Sequence, residues 1–158
     1  MNRFALLLVV LWAATPMAWS VGMNSCSDLE EQIISLSNDV RAGQGLPLLR
    51  LSPTLRQAAL NHSQDMHENN YFGHHNPYMV GDNVLRRAQK AGSANLICAE
   101  NLFKCRGYSS KEAAQKAISA WLNSSAHRKI LLNPRYNRIG VGVICEGGTY
   151  YFTQDVAT

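Results

Sequence analysis

Nothing in this 158-residue sequence repeats, and no stretch is of low complexity or reads as a linker, which argues against a repeat array or a string of tethered domains. Long apolar runs are missing too. The longest, residues 4–12 with Ala13 and Ala14 after them, falls well short of the roughly 20 residues that a membrane-spanning helix needs, and Thr15-Pro16 ends it. The four cysteines, Cys26, Cys98, Cys105 and Cys145, lack the close pairing of a zinc finger. No Gly-x-Ser-x-Gly elbow surrounds Ser124 or Ser125, so the nucleophile turn of an α/β-hydrolase is absent there. Charge is sparse, at 16% of residues, and its imbalance is too small to indicate a nucleic-acid partner. Acids are wholly absent from residues 104–111 and 128–138, which carry bases such as Lys104, Arg106, Arg128 and Arg135. Such stretches read first as solvated faces and second as a basic rim facing an anionic surface.

What is present begins with residues 1–20. One charge, Arg3, an apolar core and the small-residue close Ala18-Trp19-Ser20 form the pattern of a secretory signal peptide. The mature chain is expected from about Val21, secreted or periplasmic, with no transmembrane anchor kept after cleavage. The run before Cys26 is not the leucine-led one of a lipidated cysteine. Without Arg3 the chain holds 14 bases against 11 acids, a net charge of +3. Residues 21–158 suffice for one domain with a real core. Export to an oxidising compartment makes the four cysteines candidates for two disulfides. Of the three pairings, Cys98 with Cys105 would cinch residues 99–104 into a loop and leave Cys26 for Cys145.

Local signals place the elements. Ser27-Asp28-Leu29-Glu30 and Ser109-Ser110-Lys111-Glu112 are capping boxes, each followed by apolar residues at helical spacing. The first helix carries Leu29, Ile33, Leu36 and Val40 on one face and ends near Gly43 or Gly45. Ser52-Pro53 opens a second, a cap followed by proline in the first turn, with Leu55, Ala59, His62 and Met66 on one face. His62 therefore reads as a hydrogen-bonded core histidine and His67 as an exposed one. An aromatic turn, Tyr71-Phe72-Gly73-His74-His75-Asn76-Pro77, precedes a short helix from about Asn83 to Ala91. Glu100 and Asn101 lie in an apolar neighbourhood, where a buried carboxylate asks for a partner. The helix begun at Ser109 carries Trp121 as a core anchor and stops at Ser124, which can cap the next turn. His127 falls in the first turn of that next helix, where the positive end of the backbone dipole favours neutral imidazole. Ile139, Val141 and Val143 then alternate with Gly140 and Gly142, and after Glu146-Gly147-Gly148 a second β-rich run follows. This is a hairpin whose alternate glycines call for another backbone packed close on their face. Helices gathered ahead of terminal strands argue for an α+β fold.

Taken together, Asn38-Asp39-Val40-Arg41, Phe72-Gly73-His74, Ala99-Glu100-Asn101-Leu102, Trp121 to Arg128, Asn133-Pro134 and Ile139 to Val143 resemble the superfamily of cysteine-rich secretory proteins, antigen 5 and plant pathogenesis-related proteins (CAP), in its compact bacterial form. The likeness runs from about Leu29 to Val156. It implies a three-layer α-β-α sandwich with a central antiparallel sheet and a cleft that gathers histidines and acids. By the same likeness the cleft histidines fall on His74 and His127 and the first acid on Glu100. Asn101 is a supporting side chain, and Ser124 stands where many relatives carry a second acid. The cysteine-rich extension and the sterol-binding loop signature of some relatives are absent.

Two imidazoles and one carboxylate suit zinc, so His74, His127 and Glu100 are expected to hold it weakly and reversibly, with water in the fourth position and His75 as the runner-up ligand. A metal-dependent module that binds an envelope component is the leading reading. A metal-dependent or serine-type hydrolase, using Ser124 or Ser125 beside His127, is one alternative. A lipid or cell-wall binder is another. The family has no generally accepted catalytic activity.

Overall fold

The structure is a computed structural model that describes residues 26–94 and 97–158. The expected leader and the expected start of the mature chain lie outside the described residues. Among the described residues five helices and four strands follow in the order α1 (Cys26–Gly43), β1 (Arg50–Leu51), α2 (Pro53–Glu68), α3 (Val84–Lys90), β2 (Cys98–Arg106), α4 (Ser110–Asn123), α5 (Ser125–Leu131), β3 (Arg138–Glu146) and β4 (Thr149–Ala157). The sheet order is β1-β3-β4-β2. The three long strands run antiparallel, as expected of the central sheet, and β1 adds a two-residue parallel pairing to β3 at the edge, which makes the whole sheet mixed. That edge is short because Ser52, the last residue to donate to β3, is also the N-cap of α2, and Pro53 has no N–H with which to continue.

The two faces of the sheet are covered differently. Ile139, Val141, Val143, Phe152 and Val156 point into a core with Leu29 and Ile33 of α1 and Ala117 and Trp121 of α4. Trp121 is fully buried and donates its indole N–H to the Leu102 carbonyl at 2.9 Å. On the other face α2 lies directly on the glycines of β3. A Cβ at Gly140 would stand 2.1 Å from the Arg56 nitrogen, and one at Gly142 would stand 2.1 Å from the Leu60 nitrogen. The alternate glycines thus let one helix backbone settle on the strand. Glu30 locks the arrangement by accepting from Arg56 of α2 and from the Val143 amide of β3.

The capping box at Ser109 and Glu112 is formed in full. At the other expected box α1 already runs at Cys26, which places Ser27 within the helix, and the Glu30 carboxylate accepts from Arg56 and the Val143 amide. Ser124 occupies the N-cap of α5 without a side-chain capping bond, contrary to expectation. Cys26 is joined to Cys145 across Cα atoms 6.0 Å apart, which ties the start of α1 to β3. The expected Cys98 to Cys105 bridge is ruled out, because both residues sit in β2 and their thiols are free. At about 3.3 Å per residue an extended strand holds them roughly 23 Å apart, far beyond the about 7 Å that a disulfide tolerates, and their odd separation sends them to opposite faces.

Candidate functional site

The site grows from a strand register. Glu100 of β2 stands directly opposite Asp155 of β4, on the face covered by α2 and α3. Both side chains are buried. The Glu100 carboxylate accepts from His74 Nδ1 at 2.8 Å and from Arg87 Nη2 at 2.6 Å, with the Nε2 of buried His62 3.8 Å away. Arg87, projecting from α3, also donates to Asp82 at 2.6 Å and to the His74 carbonyl at 3.2 Å. Asp82 in turn accepts from the Asn76 amide at 2.9 Å. One guanidinium therefore ties α3, β2 and the histidine-bearing turn together.

Burial opposes charge on Glu100, but the hydrogen bond from His74 and the Arg87 guanidinium outweigh it and hold its carboxyl below the usual range. Asp155 goes the other way. Complete burial, with the neighbouring Glu100 charge adding to it, raises its carboxyl well above the ordinary value. Neither of its oxygens has a hydrogen-bond partner among the described residues, and neither has the Nε of Arg87. The two facing carboxyls are therefore pushed in opposite directions, Glu100 toward its ionised form and Asp155 toward its protonated form.

Because Glu100 accepts at Nδ1, that nitrogen of His74 carries the proton and Nε2 is left as the free donor atom of a half-exposed ring. His127, on the first turn of α5, places its ring centroid 6.4 Å from that of His74. Its partial burial, and next the neighbouring His74, lower its pKa, so it is neutral at physiological pH. Asn101 lies on the opposite face of β2, where its Nδ2 donates to Gln154 at 3.0 Å and, more weakly, to the His127 carbonyl at 3.4 Å. It thereby fixes α5 against the sheet. His75 turns away and donates to the Asp82 carbonyl at 2.6 Å. His62 donates to the Gly73 carbonyl at 3.0 Å, as a core histidine does, and burial lowers its pKa.

The structure thus gathers His74, Glu100 and His127 at one end of the sheet, but Glu100 stands behind His74 with both oxygens engaged. Among the described residues no three His, Cys, Asp or Glu side chains converge as a ready metal cage. The two imidazoles alone suit a cation: sharing one tetrahedral zinc at a Zn–N distance of about 2.0–2.1 Å would bring two rings to about 5 Å between centroids. No hydrogen bond links Ser124 or Ser125 to His127 among the described residues, so the serine nucleophile has no visible base. Arg87, Asp82 and Asp155 were not foreseen. Asp155 had a signal, an acid in a β-rich run at the alternation of its buried face. Arg87 had none beyond its place on a short helix. A groove of about 660 Å³ between α2 and α3 is lined by His62, Asp82 and Arg87 but not by His74 or His127.

A family model described as the cysteine-rich secretory protein family, CAP, matches residues 34–156. The uncharacterized protein YkwD of Bacillus subtilis (strain 168) is 33% identical over 131 residues, which is 83% of this chain and 48% of that protein. A solved extracellular protein containing an SCP domain, from Bacillus anthracis str. Ames, is 32% identical with a TM-score of 0.71, over 83% of this chain and 40% of the other. An outer surface protein from Borrelia burgdorferi is similar in fold, with a TM-score of 0.74 at 19% identity over 85% of this chain and 95% of its own. This chain spans less than half the length of the two Bacillus proteins.

Proposed function

The chain belongs to the cysteine-rich secretory protein family, and from that premise we propose that it acts outside the cytoplasm as an envelope-binding module whose cleft takes a divalent cation, zinc foremost, on His74 and His127. The observation that carries this reading is the hydrogen bond between Glu100 and His74 Nδ1. A carboxylate behind an imidazole fixes its tautomer, aims its other nitrogen and raises its basicity, which is the support a metal-bound histidine receives. Glu100 thus acts through His74, and Arg87 holds the carboxylate in place. The bound cation would supply a Lewis-acid anchor for an oxygen-bearing envelope ligand. With two histidine ligands and a nearby guanidinium, binding is weak, and chelators should strip the cation without unfolding the domain.

Calorimetric titration of zinc tests this. His74→Ala and His127→Ala should each abolish measurable binding, and Glu100→Gln should weaken it about 10–100-fold. Unchanged affinity in both histidine variants would overturn the reading. Protonation competes with the metal, and the lowered pKa of His127 moves that competition below the ordinary histidine value of about 6.5. A zinc-dependent hydrolase would show itself as turnover of ester or amide substrates that ends on chelation. The serine version has no hydrogen-bonded base to support it.

A further inference from the structure

The turn between α2 and α3 carries a feature that the histidine cleft leaves unexplained. Three consecutive apolar side chains at its tip, Tyr78, Met79 and Val80, are 76%, 55% and 98% exposed. Isolated exposed apolar residues are ordinary, but three in a row on one protrusion are not. The exposure is not the result of a slack loop. The Asn76 side chain is anchored on Asp65 at 2.7 Å and accepts from the Tyr78 amide at 2.7 Å. The Met79 amide donates to the Asn76 carbonyl, and the Asp82 carboxylate is clamped by Arg87. Behind the tip, Arg86 donates to the carbonyls of Val80 and Gly81 at 3.4 and 3.2 Å. Gly81 has φ +73°, and a Cβ there would meet the Arg86 guanidinium at 2.4 Å, so the glycine lets a positive charge sit immediately behind the apolar tip.

Lys90 lies four residues after Arg86, on the same face of α3. Both are exposed, and neither forms an ion pair with an acid among the described residues. The two acids that line the adjoining groove already have partners: Asp82 with Arg87, and Asp65 with Tyr71, Asn69 and Asn76. The groove between α2 and α3 opens beside the tip and is lined by Met79, Val80, Arg86 and Lys90.

We infer that this tip docks the protein on an anionic bilayer surface: Met79 and Val80 enter the acyl boundary, the Tyr78 ring lies at headgroup depth, and Arg86 and Lys90 engage lipid phosphates. A convex three-residue wedge needs no preformed pocket in a fluid surface, whereas a stable protein partner requires about 800 Å² from each side. Tyrosine and flanking bases are the side chains that settle at a membrane interface. This docking uses none of the proposed cation ligands, so it does not rest on the zinc reading.

Flotation with vesicles of phosphatidylcholine alone, and of equal parts phosphatidylcholine and phosphatidylglycerol, tests it on the mature chain, with and without chelator. The wild type should bind the anionic vesicles, bind the neutral ones far less, weaken as salt rises, and be indifferent to chelator. Lys90→Gln and Arg86→Gln should each weaken binding about fivefold. Met79→Ser with Val80→Ser should weaken it about tenfold or more. Tyr78→Trp should report contact as a blue shift of its emission on anionic vesicles only. Circular dichroism confirms the fold of each variant, and Lys90→Gln, which touches nothing in the turn, remains informative if Arg86→Gln loosens it. No binding to anionic vesicles, or binding unchanged in the serine double variant, overturns the inference. A concentration-dependent dimer that Val80→Ser abolishes, without vesicle binding, would assign the tip to a second copy of the chain and likewise overturn it.

Discussion

Two inward-facing arginines show how differently one side chain is used. Arg41 of α1 is completely buried and has no carboxylate partner among the described residues. Its guanidinium donates instead to the carbonyls of Pro47, Leu131, Asn133 and Tyr136, at 2.8 to 3.0 Å. These bonds join the end of α1 to the segment before β1 and to the connection between α5 and β3. Arg87 meets the carboxylates of Asp82 and Glu100, keeps an Nε without a partner among the described residues, and lies close to Asp155, whose pKa burial raises. Carbonyls are fixed in place and do not titrate, so the first network is a clamp with one state. Carboxylates can gain a proton, so the second has several, and it is the second that backs the histidine cleft.

The largest effect expected from this contrast is that of Arg41→Met. It leaves four inward-facing carbonyls without their donor and should cost about 4 kcal/mol or more. Denaturant unfolding should give the same loss in mildly acidic and mildly alkaline buffer, with zinc affinity per folded molecule unchanged. A loss that varies with pH would erase the distinction between the two arginines.

Arg87→Met should cost somewhat less, about 3 kcal/mol at neutral pH, because it leaves the buried Glu100 charge without its guanidinium. Here the loss should shrink as pH falls, since Glu100 then accepts a proton. A pH-independent loss would place Arg87 in the same class as Arg41.

Asp155→Asn should act in the opposite direction. An acid whose folded pKa lies above its unfolded value supports the fold only while protonated: that contribution is full below about pH 4 and is lost as pH climbs through the raised folded value. The variant should therefore gain stability over the wild type with increasing pH, by about 1.4 kcal/mol for each unit of the folded shift. Glu100, shifted downward, gives stability that is present above its unfolded value and lost in acid. Parallel pH profiles of Asp155→Asn and wild type would mean that Asp155 is not held neutral.

The smallest effect concerns the thiols. Burial pushes the Cys98 thiol up to about 11 and raises that of Cys105. Two thiols per chain should react with maleimide after unfolding without reductant, and much more slowly in the native protein. Fewer than two would return Cys98 and Cys105 to the disulfide that β2 rules out.

Much of the cleft could be read before the fold was known, and the reasons are local. Ser109 and Glu112 are three residues apart, so their capping box needs nothing from the rest of the chain. Ser27 and Glu30 show the limit of that logic. With the same spacing, the Glu30 carboxylate there is engaged by Arg56 and the Val143 amide, both distant in sequence, which draw it into the core. The Cys98 to Cys105 expectation failed for a related reason: the intervening residues read as a loop, but pairing with β4 extends them into a strand.

What the chain order alone carries is the list of helices, the hairpin with its alternate glycines, and the histidine and acid motifs that mark the family, because each depends on contacts a few residues long. What the tertiary structure decides is which of those groups meet. Glu100 faces Asp155 because two strands far apart in sequence pair in that register, and Arg87 reaches Glu100 because α3 is laid over that end of the sheet. Protonation follows from that meeting, since a buried charge is governed by the groups around it. Glu100 is consequently held toward its ionised form behind His74, and its neighbour Asp155 is pushed toward its protonated form.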